Sequence, residues 1–286
     1  MDTLDSPQTR RQTAPLPAPL RLQITALGGI GLVRPGDDLA RIVMDAVAAT
    51  GETLMDGDVL VVAQKIVSKV EDRYANLDDV TPSPRAVELA RKCDKDPRLV
   101  ELILSESTDV VRYHKGVLVV AHRLGLVLAN AGIDSSNVEP LPGADPDAGV
   151  ENPRVLLLPV DPDASCRGLR EKLYEASGRR VAIIVNDSLG RAWRSGTMGA
   201  AIGASGIEAL VDLRGRTDLY GRPLLTTQIG QADEIAAAAS LVMGQADEGR
   251  PVVLVRGLAA EMSPDADSES GAARDLVRPA DRDLFR

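Results

Sequence analysis

The sequence predicts a mixed α+β fold, and three observations lead there. Two apolar runs, 59–63 and 181–185, are too short for helices and rich in β-branched residues, which marks them as buried strands. Residues 155–185 read strand, helix, strand, the order of an α/β unit. A hydrophobic content of 44% over 286 residues supplies enough apolar material to pack such a core.

Residues 1–20 hold Arg10, Arg11 and four prolines without an apolar stretch, and read as a disordered tail ahead of one domain over 21–286. Residues 22–24 alternate toward a strand. Pro35-Gly36-Asp37 is a turn that offers Asp37 as N-cap to a helix over 38–50. Asp56-Gly57-Asp58 then turns the chain into the first buried strand. Segments 84–92 and 97–104 have helical spacing, and each opens on a proline, whose missing N–H is harmless in a first turn. Residues 113–130 read as strands folded about Arg123-Leu124-Gly125, followed by a loop over 132–137.

Residues 140–153, rich in Pro, Gly and Asp, are the best candidate for a linker or lid between two lobes. A strand over 155–160 leads to a helix through 177 capped by Asp163, and then to the second buried strand. Residues 197–210 are dense in Gly and Ala, so another backbone or a ligand can approach closely. After a polar loop at 215–222, an Ala-rich helix over 234–243 ends at Gly244, which suits a left-handed C-cap. A last strand spans 251–255, and the acidic stretch 263–270 reads as solvated.

Composition narrows the partners. The net charge is −9, from 33 basic and 42 acidic residues, and no basic block could track a phosphate backbone. With only 2% aromatics there are no stacking platforms either, so nucleic acid is not an expected partner. No apolar run approaches the roughly 20 residues of a membrane span. Cys93 and Cys166 lie far apart and form no CxxC pair, which fits idle thiols in a reducing cytoplasm.

The sharpest chemical cluster is Asn186-Asp187-Ser188-Leu189-Gly190-Arg191-Ala192-Trp193-Arg194, directly after the 181–185 strand. Ligands bind at strand carboxyl ends in α/β sheets. Asp187 and Ser188 offer hard oxygen donors suited to magnesium or manganese, and Arg191 and Arg194 could clamp phosphates. The same residues also read as a plain Asp-Ser turn. Asp134-Ser135-Ser136-Asn137 is a second oxygen cluster after an apolar strand, with an Asx-turn capping a helix at Asn137 as its structural alternative. Two carboxylates from separate strands, Asp134 and Asp187, are what an ion bridging nucleotide phosphates requires. Lys69, just past a buried strand, reads as a phosphate contact or a solvated strand end. Trp193 reads as a stacking surface or a packing anchor. Neither a GxxxxGK[ST] loop nor a GxGxxG fingerprint occurs, and His114 and His122 lack a third metal ligand.

The chain resembles the F-420-0:L-glutamate ligase family from about Leu22 onward. The carriers include Arg34-Pro35-Gly36-Asp37-Asp38-Leu39, Val67-Ser68-Lys69, Asn130-Ala131-Gly132-Ile133-Asp134-Ser135-Ser136-Asn137-Val138, Asp187-Ser188-Leu189-Gly190-Arg191-Ala192-Trp193-Arg194, and Ala232-Asp233-Glu234-Ile235-Ala236. The resemblance implies an α+β fold that forms a homodimer, with the active site near the subunit contact. It implies GTP-dependent addition of L-glutamate to F-420-0 through γ-glutamyl bonds, with two Mg2+ or Mn2+ ions and K+. Asp134 and Asp187 would be metal ligands, Ser188 would hold the second ion, and Met243 would add a backbone oxygen, while Arg191 joins Asp134 and Asp187 in the catalytic set. Nucleotide contacts would come from Leu27, Gly28, Gly29, Ile30, Gln64, Lys69, Asn137, Leu241, Met243, Gly244 and Glu248.

Two departures stand out. Ala26-Leu27-Gly28-Gly29-Ile30 replaces the Gly-Leu-Pro that relatives often carry, and Gln64 replaces a small hydroxyl residue. Ser188 stands for the usual Thr and keeps its oxygen. Two other classes stay open on the residues alone, a nucleotide-sensing module without turnover and a metal-dependent phosphohydrolase.

Overall fold

The structure, a computed structural model, describes residues 19–140, 153–258 and 272–283. The expected tail up to residue 18, nearly all of the 140–153 linker or lid, and the acidic stretch 263–270 lie outside the described residues.

In chain order the elements are β1 (Gln23–Ala26), α1 (Leu39–Ala49), β2 (Val59–Ala63), α2 (Gln64–Val70), β3 (Tyr74–Asn76), α3 (Pro84–Cys93), α4 (Pro97–Ser105), β4 (Ser107–His114), β5 (Val117–His122), β6 (Val127–Ala129) and β7 (Arg154–Leu156). They continue with α5 (Pro162–Ser177), β8 (Ala182–Arg191), β9 (Arg194–Ser205), β10 (Val211–Asp212), β11 (Gln228–Ile229), α6 (Gln231–Met243) and β12 (Val252–Arg256). This is the expected mixed α+β architecture.

The main sheet has the order β1-β12-β2-β8-β9, and among these strands only β2 and β8 run parallel. Side chains alternate across each strand, so both faces of an unbroken apolar run can be buried at once. Leu60 and Val62 of β2, Ile183 and Val185 of β8, and Val252 and Leu254 of β12 pack with α1 and α5. Val59, Val61, Ala182, Ile184, Val253 and Val255 face the other way, onto α6. The result is a three-layer core. A smaller lobe packs α3 and α4 on the three-stranded sheet β4-β5-β6.

The Gly/Ala-rich segment is β9, and it admits helices on both faces. A Cβ on Gly199 would lie 2.6 Å from the Ala236 carbonyl oxygen on α6, and one on Gly203 would lie 2.5 Å from that of Pro162 on α5. Larger residues would force both helices off the sheet.

Several local expectations need correction. The N-cap of α1 is Asp38, whose carboxylate accepts from Arg41 N, while Asp37 accepts from Arg34 N in the preceding turn. The N-cap of α5 is Asp161, because Pro162 occupies the first helical position. Asp163 is instead a buried carboxylate that accepts from the main-chain N of Ala204 and Ala273. Within the 155–160 segment strand pairing stops at Leu156, since among the described residues its partner strand β3 begins at Tyr74. The polar residues 107–112 were not expected as strand, yet pair with β5. Gly244 has φ +83 but ψ 176, an extended rather than left-handed helical end.

Two corrections bear on the site. Residues 186–191 are not a loop: β8 continues through them, held by an antiparallel register with β9 that ends at Arg191↔Arg194. Lys69 is not at a strand end, because the chain turns from β2 directly into α2 at Gln64. Both runs are polar on one side, and their partners, not their own periodicity, decide their conformation.

Candidate functional site

The parallel pairing of β2 with β8 sets Ala63 opposite Asn186. Beyond that pair, β2 becomes a helix carrying Lys65 and Lys69 one turn apart, while β8 carries Asp187 and Ser188. A third strand places Asp134. Its main chain exchanges two hydrogen bonds with Leu156 at the end of β7, Asp134 N to Leu156 O at 3.0 Å and Leu156 N to Asp134 O at 2.8 Å.

Lys65 joins these parts. Its Nζ lies 2.7 Å from Asp134 Oδ2 and 2.5 Å from Ser136 Oγ. Asp134 also accepts from Ser136 N at 2.7 Å, and these partners hold its carboxyl below the usual range although burial opposes them. Asp187 goes the other way. Burial and then the charge of Asp134 push its carboxyl up to about 6, against the Ser188 N–H and the Lys65 ammonium. The two carboxylates therefore sense each other and the same lysine. The pair carries more negative charge than one ammonium balances.

Lys69 Nζ donates to the Asn137 carbonyl oxygen at 2.7 Å. Burial and the neighbouring Lys65 lower its pKa, with Glu139 opposing. Asn137 has φ +55, and its side-chain amide donates to Ala246 O at 3.0 Å. Ser188 Oγ donates to Gln245 Oε1 at 2.5 Å. The loop after α6 is thus tied to both the 134–137 turn and the tip of β8.

These segments line a cleft of about 680 Å³, within the range of small-molecule sites. Of the residues expected at the site, Ile30, Gln64, Lys69, Asn137, Asp187, Ser188, Met243, Gly244 and Glu248 line it. Asp134 reaches it through Lys65. Leu27 does not: its side chain is fully buried beside α1 and its N–H donates to Val252 O. Gly28 and Gly29 precede the lining segment, Leu241 is 84% exposed on the solvent face of α6, and Arg191 stands at the exposed end of β8. Trp193, 89% exposed with φ +65, packs against nothing as an anchor would.

Lys65 is a cleft residue that sequence reasoning missed. The Lys65/Lys69 spacing of four would have placed both on one face of a helix. Glu139 was missed as well; it meets Arg34 at 3.3 Å.

The donor set suits a hard divalent ion. Asp134, Asp187 and Ser188 offer oxygen only, and among the described residues no three His, Cys, Asp or Glu gather into a self-contained cage. Magnesium and manganese are held this way, by one or two carboxylates together with substrate phosphates. No helix among the described residues is long and apolar enough to cross a membrane.

An α+β protein that gathers opposed charges where its parallel strands end is built to hold charged small molecules. Its sequence relationships are specific. The chain belongs to the F420-0:Gamma-glutamyl ligase family, whose model matches residues 29–257. It is 43% identical to the coenzyme F420:L-glutamate ligase of Methanothermobacter thermautotrophicus over 266 residues, 93% of this chain and 99% of that one. The protein of the same name from Methanopyrus kandleri is 44% identical over 89% of this chain and 93% of its own. The one from Methanocaldococcus jannaschii is 41% identical over 81% and 85%.

Proposed function

We propose that this protein joins the amine of L-glutamate to the carboxylate of F-420-0 as an amide, with γ-glutamyl bonds formed where further glutamates are added, consuming GTP by way of an acyl phosphate, in the cytoplasm and as a homodimer. The observation that carries this reading is that Lys65, which lines the cleft beside Asp187 and Ser188, holds Asp134 at 2.7 Å, so that two carboxylates from distant parts of the chain flank one cleft. Family membership supports the ligase activity, and the relatives' names supply glutamate as the co-substrate.

A free carboxylate is a poor acyl donor. Transfer of the γ-phosphoryl of GTP to the F-420-0 carboxylate breaks the bond to the β-phosphate oxygen, releases GDP and leaves an acyl phosphate. The amine nitrogen of glutamate then attacks the acyl carbon, phosphate departs with the bonding pair, and the amine loses a proton. Asp134, Asp187, Ser188 and the Met243 main-chain oxygen would hold the two divalent ions, with K+ as a further cation. When bound, such ions neutralise the charge of the phosphates.

The chain's own part is positioning. Lys69, fixed on the Asn137 carbonyl, presents its remaining donors to phosphate oxygens, and Asn137 and Gly244 set the cleft wall on either side. The apolar stretch from Ile30 to Val33 also lines the cleft. Holding two charged substrates in register supplies most of the acceleration in reactions of this kind.

Purified protein incubated with F-420-0, glutamate, GTP and Mg2+ or Mn2+ tests the reading. Mass spectrometry should find F-420-0 heavier by one or more glutamyl units, with GDP and phosphate released only when both acceptors are present. Phosphate release without glutamate would instead identify a phosphohydrolase, and nucleotide binding without any release a sensor.

A further inference from the structure

We infer that Lys65 is a displaceable counter-cation: its ammonium holds Asp134 Oδ2 and competes with a divalent ion for it, so that the ion binds weakly until a phosphate-bearing ligand draws that ammonium away. The inference rests on the metal site proposed above. Lys65 Nζ is within hydrogen-bond distance of Asp134 Oδ2 and Ser136 Oγ, which hold it among the described residues. Its charge also reaches Asp187 and Lys69.

Lys65 differs from Lys69 in what releasing it would cost. Lys69 is clasped to a main-chain carbonyl and largely buried, so it is part of the wall. Lys65 is held by a carboxylate and a hydroxyl, its side chain about a quarter exposed, on a four-carbon stem that can swing. An ammonium and a dication cannot share one carboxylate without strong repulsion. A phosphate offers the departing ammonium an equivalent anionic partner, and Lys65 lines the same cleft as Lys69 and Ser188.

The exchange makes metal and phosphate binding interdependent. If the phosphate frees the metal position, the metal must by linkage tighten the phosphate by the same factor. Lys65 is then a positioning residue that suppresses metal loading of the empty site.

Binding of Mn2+ alone to the full-length protein, followed by the electron paramagnetic resonance signal of free Mn2+, tests this without turnover. Lys65→Met should bind Mn2+ on the order of tenfold more tightly than wild type, because a positive charge has left the first neighbours of Asp134. Lys65→Gln should do the same and guards against a packing artefact of methionine. Lys65→Arg should stay close to wild type, and adding Asp134→Asn to Lys65→Met should erase the gain. Mn2+ affinity equal to or weaker than wild type in both Lys65→Met and Lys65→Gln would overturn the inference, including the case in which none binds measurably. If instead Asp134→Asn and Asp187→Asn leave Mn2+ binding unaltered in every background, the metal site itself is wrong.

Discussion

Ala63 and Asn186 are register partners across the parallel pair β2 and β8. One residue beyond Asn186 stands a carboxylate, Asp187, and two beyond Ala63 an ammonium, Lys65. The cleft is thus built where the two strands stop behaving alike, one bending into a helix and the other running on into a hairpin.

Asp187→Asn should reduce product formation by at least about 100-fold, since loss of one charged ligand to a phosphate-bound cation costs several kcal/mol of transition-state stabilisation. The melting temperature should hold, because the substitution removes a charge that burial and Asp134 already disfavour. Turnover near wild type, measured on a folded protein, would contradict the assignment.

Lys69→Met should weaken GTP binding by about ten- to 100-fold, the range of one charge-assisted hydrogen bond. Calorimetric titration checks this. An unchanged affinity would remove Lys69 from the nucleotide site and leave it only its contact with the Asn137 carbonyl.

Gly199→Ala should destabilise the fold by about 1–3 kcal/mol, the usual cost of overpacking. The new methyl would run into Ser240 Oγ, the Ala236 carbonyl oxygen and Asn186 Oδ1, all where α6 crosses β9 beside the cleft. Gly190→Ala, which meets nothing within 4 Å, is the matched control and should stay within about 0.5 kcal/mol. Equal denaturation midpoints for the two would show that α6 sits farther from β9.

Glu106 should make the protein acid-sensitive. Its carboxylate lies 3.1 Å from both Arg73 and Arg123 and 3.6 Å from His122 Nε2. Burial opposes its charge, but these partners outweigh that and hold its pKa down at about 2, against 4.5 ordinarily. A depressed carboxyl pKa stabilises the fold fully above the unfolded value, and the contribution is lost as pH falls from about 4.5 through about 2. Glu106→Gln should be less stable than wild type at pH 7 and should converge with it near pH 2. A constant gap across that window in urea unfolding would mean the ion network contributes nothing.

Much of the fold was legible because apolar patterning is local. The runs at β2, β8 and β12, the proline-opened helices α3 and α4, and the Ala-rich α6 all carry their own periodicity or start signals. Segments whose conformation depends on a distant partner were not legible. Residues 186–191 look like a loop until β9 pairs with them, and 107–112 look featureless until β5 does.

By itself, then, the chain's sequence determined the α+β class, its family, and the residue types able to handle a phosphate and a hard cation. Tertiary structure alone decided which of them meet. It brought Asp134 to Lys65, 69 positions away along the chain, by pairing the Asp134 backbone with Leu156, and it left Leu27 in the core and Arg191 and Leu241 facing outward. The reason is physical: local sequence sets which way a backbone bends, whereas charge proximity depends on strand register and helix packing between segments far apart along the chain.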